Sequence, residues 1–354
     1  MERRLLIIDA STVIRRALSV SLSGEAGIEI VESASSGRSA LMKLPLLRPD
    51  VVALDVDLPG TETLDTLAGI RLAHPRLPVV LLSLATPRAA AATVDALSRG
   101  ANDYVMKPDA AVPSDEALAL LRSQLLSKID ACCAPTPRPR PVLVPRRTTA
   151  VAPAARVDVV AIGVSTGGPG ALMDLLPQFA ADFPVPILIV QHMPPMFTNL
   201  LAERLGARAR VKVAEGNRLG RVEPGQAWIA PGGLHMAVER DGGAVRLVTH
   251  EGPPENSCRP SVDVLFRSVA EVYGRHTLAV VMTGMGQDGL RGCEQVQAAG
   301  GQVLAQDQST SVVWGMPGGV VRAGLADGVL PLGLLAREII DRVYQFRQLA
   351  CVTV

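Results

Sequence analysis

The sequence predicts two α/β domains in series, each built on a parallel sheet with helices on both faces. Three observations predict this. Short apolar runs alternate with amphipathic stretches through residues 1–130 and again through 157–349. Most of these runs are apolar throughout, as strands are when both faces of their sheet are covered. A Pro- and Arg-rich segment without acidic residues, 131–156, separates the halves.

In the first half, strands are expected at Leu5–Ile8, Ile28–Val31, Val51–Leu54, Val79–Leu82 and Tyr104–Met106. Helices are expected at Ser11–Leu22, Gly37–Leu46, Leu64–His74, Arg88–Arg99 and Asp115–Ile129. In the separating segment, Pro135, Pro137, Pro139 and Pro141 alternate and favour extended backbone. Such a stretch buries too little apolar surface to offset its ordering, so it reads as a tether. The alternative is a proline-rich motif read by a partner.

In the second half, strands are expected at Val157–Ile162, Ile187–Val190, Leu278–Met282 and Val303–Leu304. Helices are expected at Gly170–Leu176, Phe197–Leu205, Val262–Tyr273, Gly289–Ala299 and Leu335–Phe346. Ala227–Ala230, His235–Glu239 and Ala244–Val248 are joined by turns at Pro231-Gly232-Gly233 and Asp241-Gly242-Gly243. They predict an antiparallel insert.

Bulk properties exclude several functions. With 48 % apolar residues among 354, each half can bury an ordinary core. A net charge of +1 and 3 % aromatics give neither a basic footprint nor stacking platforms for nucleic acid. The five cysteines have no metal-ligand spacing, which suits reduced thiols in the cytoplasm. No apolar run is long enough to span a bilayer, and the N-terminal run is too short for a signal peptide. A cytoplasmic monomer that neither binds nucleic acid nor enters the membrane is expected.

Acidic residues fall at strand ends in the first half. Asp9 follows the first strand, Asp55 the third with Asp57 close behind, Ser83 the fourth and Lys107 the fifth. In a parallel sheet these ends converge on one edge. A carboxylate nucleophile beside a divalent cation, a hydroxyl and a lysine can accept a phosphoryl group. A lone strand-end Asp can equally be a helix cap, but that does not explain the ordered set.

Residues 1–129 resemble a response-regulator receiver domain, which implies a flavodoxin-like fold. The resemblance assigns Asp55 as phospho-acceptor, Asp9 and Asp57 to the pocket that holds Mg2+, Ser83 as switch hydroxyl and Lys107 as the pocket lysine. Ala10 stands where the family has a second acid, a departure that weakens the expected metal site. Thr61-Glu62-Thr63 likewise replaces the usual Met-Asp-Gly.

The sharpest motif is Gly163-Val164-Ser165-Thr166-Gly167-Gly168. It satisfies Gly-x-Ser-x-Gly where a strand turns into a helix, the setting that exposes a nucleophilic serine. A phosphate-cradling loop is the competing reading, but no P-loop lysine is present. His192 follows the next strand and is the best placed of five histidines to act as base. Asp288 follows the Leu278–Met282 strand in a Gly-rich turn and is the expected orienting acid, or else a helix cap. Ser165, His192 and Asp288 form an expected triad that needs no catalytic metal.

The flanks carry a second resemblance. Gln191-His192-Met193-Pro194, Ile229-Ala230-Pro231-Gly232, Arg259-Pro260-Ser261-Val262-Asp263, Thr283-Gly284-Met285-Gly286-Gln287-Asp288-Gly289 and Gly315-Met316-Pro317 are similar to the catalytic domain of chemotaxis protein-glutamate methylesterases, the CheB type. The resemblance implies hydrolysis of glutamate γ-methyl esters on methylated chemoreceptors and deamidation of receptor glutamines. It also implies a chemotaxis histidine kinase as phosphodonor to the receiver. Backbone N–H groups of Thr166 and Met285 are the expected oxyanion donors, and Arg259 is expected to steer acidic substrate. The alternative is a receiver-linked binding module without catalysis.

Overall fold

The computed structural model describes residues 2–25, 27–108, 114–133, 156–217, 220–345 and 347. The chain divides into two compact units, Met1–Pro135 and Thr136–Val354. Most of the expected tether, residues 134–155, lies outside the described residues.

The first unit alternates β1 (Arg3–Ile8), α1 (Thr12–Leu22), β2 (Ile28–Ala34), α2 (Gly37–Leu47), β3 (Val51–Asp55), α3 (Glu62–Ala73), β4 (Val79–Ser83), α4 (Pro87–Ser98), β5 (Asp103–Met106) and α5 (Asp115–Cys132). Its sheet runs β2-β1-β3-β4-β5, with every pairing parallel. β3 and β4 are buried along their whole length, which explains their unbroken apolar sequence. Ser11, Ser36, Thr86 and Ser114 each cap a helix by accepting a backbone N–H. Each such cap contributes about 1 kcal/mol.

The second unit contains β6 (Val159–Val164), α6 (Gly168–Leu175), β7 (Ile187–Gln191), α7 (Phe197–Gly206), β8 (Lys212–Glu215) and β9 (Gln226–Ile229). There follow β10 (His235–Asp241), β11 (Ala244–His250), α8 (Val262–Tyr273), β12 (Thr277–Val281), α9 (Leu290–Ala298), β13 (Gln302–Gln306), α10 (Met316–Arg322), β14 (Gly328–Leu330) and α11 (Leu332–Tyr344). The main sheet runs β14-β13-β12-β6-β7-β9-β8 and is parallel at every pairing. From β6 the chain winds one way to β7 and later the other way to β12. The crevice at their carboxyl ends is therefore a topological switch point, where open α/β sheets place ligands.

Two expectations change. The run at 227–230 belongs to β9, which pairs parallel with β7 and β8 in the main sheet, so the antiparallel insert is only the β10–β11 hairpin. Strands β8 and β14 and helix α10 were not expected at all. α8 buries Val262, Leu265, Phe266, Val269 and Ala270, one face at helical spacing, against β6, β10 and α9. Burial of each large side chain among them contributes roughly 1.5–3 kcal/mol. This packing fixes the N-terminus of α8.

Candidate active site

In the first unit, Asp9, Asp55, Ser83 and Lys107 are all buried at the carboxyl edge of the sheet. Lys107 Nζ donates to Asp55 Oδ1 at 2.5 Å and to Asp9 Oδ2 at 3.2 Å. One ammonium thus serves two carboxylates. Burial, and then the charge of Asp55, raises Asp9 to about 6. The same two causes raise Asp57. Among the described residues, buried Asp57 Oδ2 has no hydrogen-bond partner.

A surplus of crowded carboxylates with one unpartnered oxygen fits a small, hard divalent cation such as Mg2+. Ala10 supplies no ligand there, and its carbonyl accepts from Arg15 Nη1, as does that of Asp9. Ser83 Oγ accepts from Thr93 Oγ1 at 2.8 Å and donates to the Leu84 carbonyl, so it is engaged away from Asp55. Thr63 donates to the Asp55 carbonyl, a contact the sequence did not disclose.

In the second unit, β6 runs buried to Val164, and Ser165 follows at the turn into α6. Gly167 caps α6 with φ +78°, a conformation that favours glycine, and a Cβ there would meet Val312 at 2.6 Å. Gly284 backs directly onto the serine: a Cβ on it would lie 2.8 Å from Ser165 Cβ. Ser165 N donates to the Thr283 carbonyl at 3.0 Å, and Gln191 Nε2 donates to the Ser165 carbonyl at 3.0 Å. The segments after β6, β7 and β12 are therefore laced together around this residue.

His192 N donates to the Val164 carbonyl, which sets the histidine beside the serine strand. Its Nε2 donates to Asp288 Oδ2 at 2.7 Å. Its Nδ1 lies 3.7 Å from Cys258 Sγ. Among the described residues no hydrogen bond joins Ser165 Oγ to the ring. Burial pulls the imidazole pKa down. Hydrogen bonds and charge from Asp288 and Cys258 outweigh this and hold it up at about 9.

Asp288 does not cap the helix that follows it, where Gly289 is the cap residue. It sits instead at the N-terminus of α8. Oδ2 accepts Val262 N at 2.7 Å, and Oδ1 accepts Asp263 N, Gly289 N, Ser261 Oγ and Asn256 Nδ2. Burial raises its pKa, but His192 and these donors lower it to about 2. An anion at a helix N-terminus surrounded by donors stays ionised.

Asn256 and Ser257 both have positive φ, 51° and 62°, and this turn points Asn256 at Asp288 and Cys258 at His192. For a serine such backbone costs about 1–3 kcal/mol and persists only where surroundings enforce it. Neither periodicity nor spacing assigns a role to Asn256, Cys258 or Ser261. Of these, only Ser261 carried a signal, inside the Arg259–Asp263 motif. Thr166 is buried, and Met285 is 38 % exposed in the loop after β12. The exposed Arg259 donates to the carbonyls of Glu251 and Gly252 rather than to a carboxylate.

A lysine-bridged acidic pocket on one parallel sheet, and a histidine–aspartate pair beside a strand-end serine on another, are the features of a receiver domain followed by a serine-hydrolase domain on an α/β sheet. The family model for CheB methylesterase matches residues 160–339, and that for the response regulator receiver domain matches residues 5–113. The protein-glutamate methylesterase/protein-glutamine glutaminase of Trichodesmium erythraeum is 49 % identical over 347 residues, covering 96 % of this chain and 99 % of its own. That of a Nocardioides species is 42 % identical, covering 97 % and 96 %. The crystal structure of the Thermotoga maritima CheB methylesterase catalytic domain is 41 % identical with a TM-score of 0.52, covering 53 % of this chain and 99 % of that domain. This chain belongs to the CheB methylesterase family and carries its receiver domain. Among the described residues, no helix is long and apolar enough to cross a membrane.

Proposed function

We propose that Ser165, His192 and Asp288 hydrolyse glutamate γ-methyl esters on chemoreceptors through an acyl-enzyme. Ser165 Oγ attacks the ester carbonyl while His192 Nδ1 takes its proton. His192 returns that proton to the departing methoxide, releasing methanol. Water then adds by the same route in reverse, freeing the glutamate carboxylate and the serine. A receptor glutamine loses ammonia along the same path. Asp288 holds the proton-bearing Nε2, so Nδ1 keeps the lone pair that must face the serine. The 2.7 Å His192–Asp288 bond beside the Ser165 turn is the observation that carries this reading. Backbone N–H groups of Thr166 and Met285 would receive the developing oxyanion, each worth about 3–4 kcal/mol. Arg259, anchored through its own guanidinium at an exposed site, would draw acidic receptor surface.

Control would lie in the first unit. Asp55 would take a phosphoryl group from a chemotaxis histidine kinase, with Asp9, Asp55 and Asp57 holding Mg2+. The cation supplies charge neutralisation for the phosphoryl oxygens. Lys107, already on Asp55, would move to those oxygens. The setting proposed is the cytoplasm, with the protein working as a monomer.

The test is methanol release from methylated receptor by wild type and Ser165→Ala, with and without a small-molecule phosphodonor and Mg2+. Release should fall at least about 10³-fold in the variant, the scale on which triad members act. Equal release by both proteins would remove the serine mechanism. Rates indifferent to phosphodonor would remove the switch.

A further inference from the structure

Beside the proposed triad stands a thiol, Cys258, that ester hydrolysis does not require. His192, Cys258 and Asp288 offer ligand atoms that all lie within 4.8 Å of one another. We infer that Cys258 Sγ and His192 Nδ1 form a binding site for a thiophilic divalent cation of the Zn2+ class, and that the bound cation shuts off the histidine.

The geometry is that of a chelate. With Zn–S near 2.3 Å and Zn–N near 2.0–2.1 Å, a tetrahedral metal holds sulfur and nitrogen about 3.6 Å apart. The two atoms stand 3.7 Å apart here. Asp288 on the far nitrogen completes a carboxylate–histidine–metal arrangement, which fixes ring orientation and makes the metal-facing nitrogen a better donor. The left-handed pair Asn256-Ser257 holds the thiol in place before any metal arrives.

Binding would balance as an exchange without redox change. The Cys258 thiol, which donates to the Asn256 carbonyl at 3.4 Å, gives its proton to solvent, and a protonated His192 ring likewise releases its Nδ1 proton to solvent. Sulfur and nitrogen each supply a lone pair to the cation, and water completes its shell. A thiolate–imidazole pair selects soft and borderline metals over Mg2+. The cation expected to serve the receiver pocket therefore does not compete for this one. Chelation uses the Nδ1 lone pair assigned to the Ser165 proton, so occupancy blocks hydrolysis. That last step rests on the proposed function; the binding itself does not.

The experiment titrates Co2+ into the full chain, reduced and freed of metal by a chelator. One cobalt per chain should give a thiolate-to-metal charge-transfer band, displaced by Zn2+ and absent in Cys258→Ser. Zn2+ should also protect Cys258 of the wild type from alkylation, read by mass on its peptide, which needs no variant to fold. No band, no protection, or a band unchanged in Cys258→Ser overturns the site. Methanol release by the wild type should fall on adding Zn2+ and return with chelator, with at least tenfold more Zn2+ needed for Cys258→Ser. Zinc bound with hydrolysis undiminished overturns the block on His192. A chain that hydrolyses nothing even with chelator refutes the esterase reading, while the cobalt spectrum still decides the site.

Discussion

Asp288 Oδ2 accepts His192 Nε2 and Val262 N, each at 2.7 Å, so one oxygen joins the imidazole to the first turn of α8. The carboxylate is held from both sides by donors alone. Orienting the base and anchoring the helix are thus one structural act, and substitution here should be felt in both stability and rate.

Asp288→Asn is expected to lower turnover about 10⁴-fold, as loss of the acid does in a serine protease. It should also destabilise the second unit. Each oxygen faces only donors, so the new amide must point its N–H groups at another donor whichever way it turns. An unsatisfied buried group costs about 1–3 kcal/mol, and each kcal/mol should lower the Tm by roughly 2–4 °C in a unit of this size. Methanol release and thermal unfolding read the two effects separately. A variant with full Tm and lost activity would show that the helix anchor is unimportant.

Activity should rise with pH in chelated buffer. His192 must be neutral to take a proton, and its pKa is held at about 9 against an ordinary 6.5. The acid limb of kcat/KM is therefore expected to titrate near 9. Asp288→Asn should move it lower, because one cause of the elevation is gone. The same elevation makes protonated His192 stabilising. That contribution is complete below about 6.5 and lost as pH climbs through about 9. The Tm gap between wild type and His192→Gln should shrink over this interval. A limb near 6.5 would mean that Asp288 and Cys258 do not act on the ring as the geometry implies.

The placement of Ser165, His192 and Asp288 at strand ends was legible because each follows a buried strand at a glycine- or proline-marked turn, and parallel sheets gather such ends. Asn256 and Cys258 were not. They sit in an irregular turn after the β10–β11 hairpin, whose left-handed backbone leaves no periodic signal. β9 was misplaced because Gln226–Ile229 alternates like a half-buried strand and runs into a Pro-Gly-Gly turn. In fact the chain leaves the sheet at that turn, and only the hairpin beyond is antiparallel. β8 reads Lys-Val-Ala-Glu and lies half-exposed at the sheet edge, where burial imposes little pattern. In α10, Gly318 and Gly319 oppose helix on propensity alone, while Pro317 sits in the first turn, where its missing N–H costs nothing; packing against β13 and α9 overrides the glycines.

Ala10→Asp should strengthen the receiver pocket. Position 10 is exposed beside Asp9, and a carboxylate there adds a hard oxygen ligand where Asp9 and Asp55 already share one lysine. Mg2+ should bind roughly tenfold more tightly, since that gain requires only about 1.4 kcal/mol. Phosphorylation of Asp55 by a small-molecule donor should reach half-maximal rate at correspondingly lower Mg2+. Isothermal titration of wild type and variant measures the first, and acid-labile phosphate the second. Unchanged affinity would mean that Arg15, bonded to the Asp9 and Ala10 carbonyls, fixes this edge against a new ligand.

Gly284→Ala tests how closely the serine is positioned. The added methyl would lie 2.8 Å from Ser165 Cβ and 2.5 Å from Met316 Sδ. The methionine end can swing aside, since its thioether is flexible. Ser165 has no such side-chain freedom, so relief must come from its backbone, whose N–H is bonded to the Thr283 carbonyl and whose carbonyl accepts from Gln191 Nε2. The serine must therefore shift by some tenths of an ångström relative to His192. A misplacement on the ångström scale can cost about 10²-fold in rate, whereas the accommodating core should lose only about 1–3 kcal/mol. Turnover is expected to fall by one to two powers of ten, roughly, with KM little changed and far-ultraviolet dichroism intact. Unaltered kcat in a folded variant would mean that Ser165 is not held by the Gly284 backbone and that the nucleophile's placement is set elsewhere.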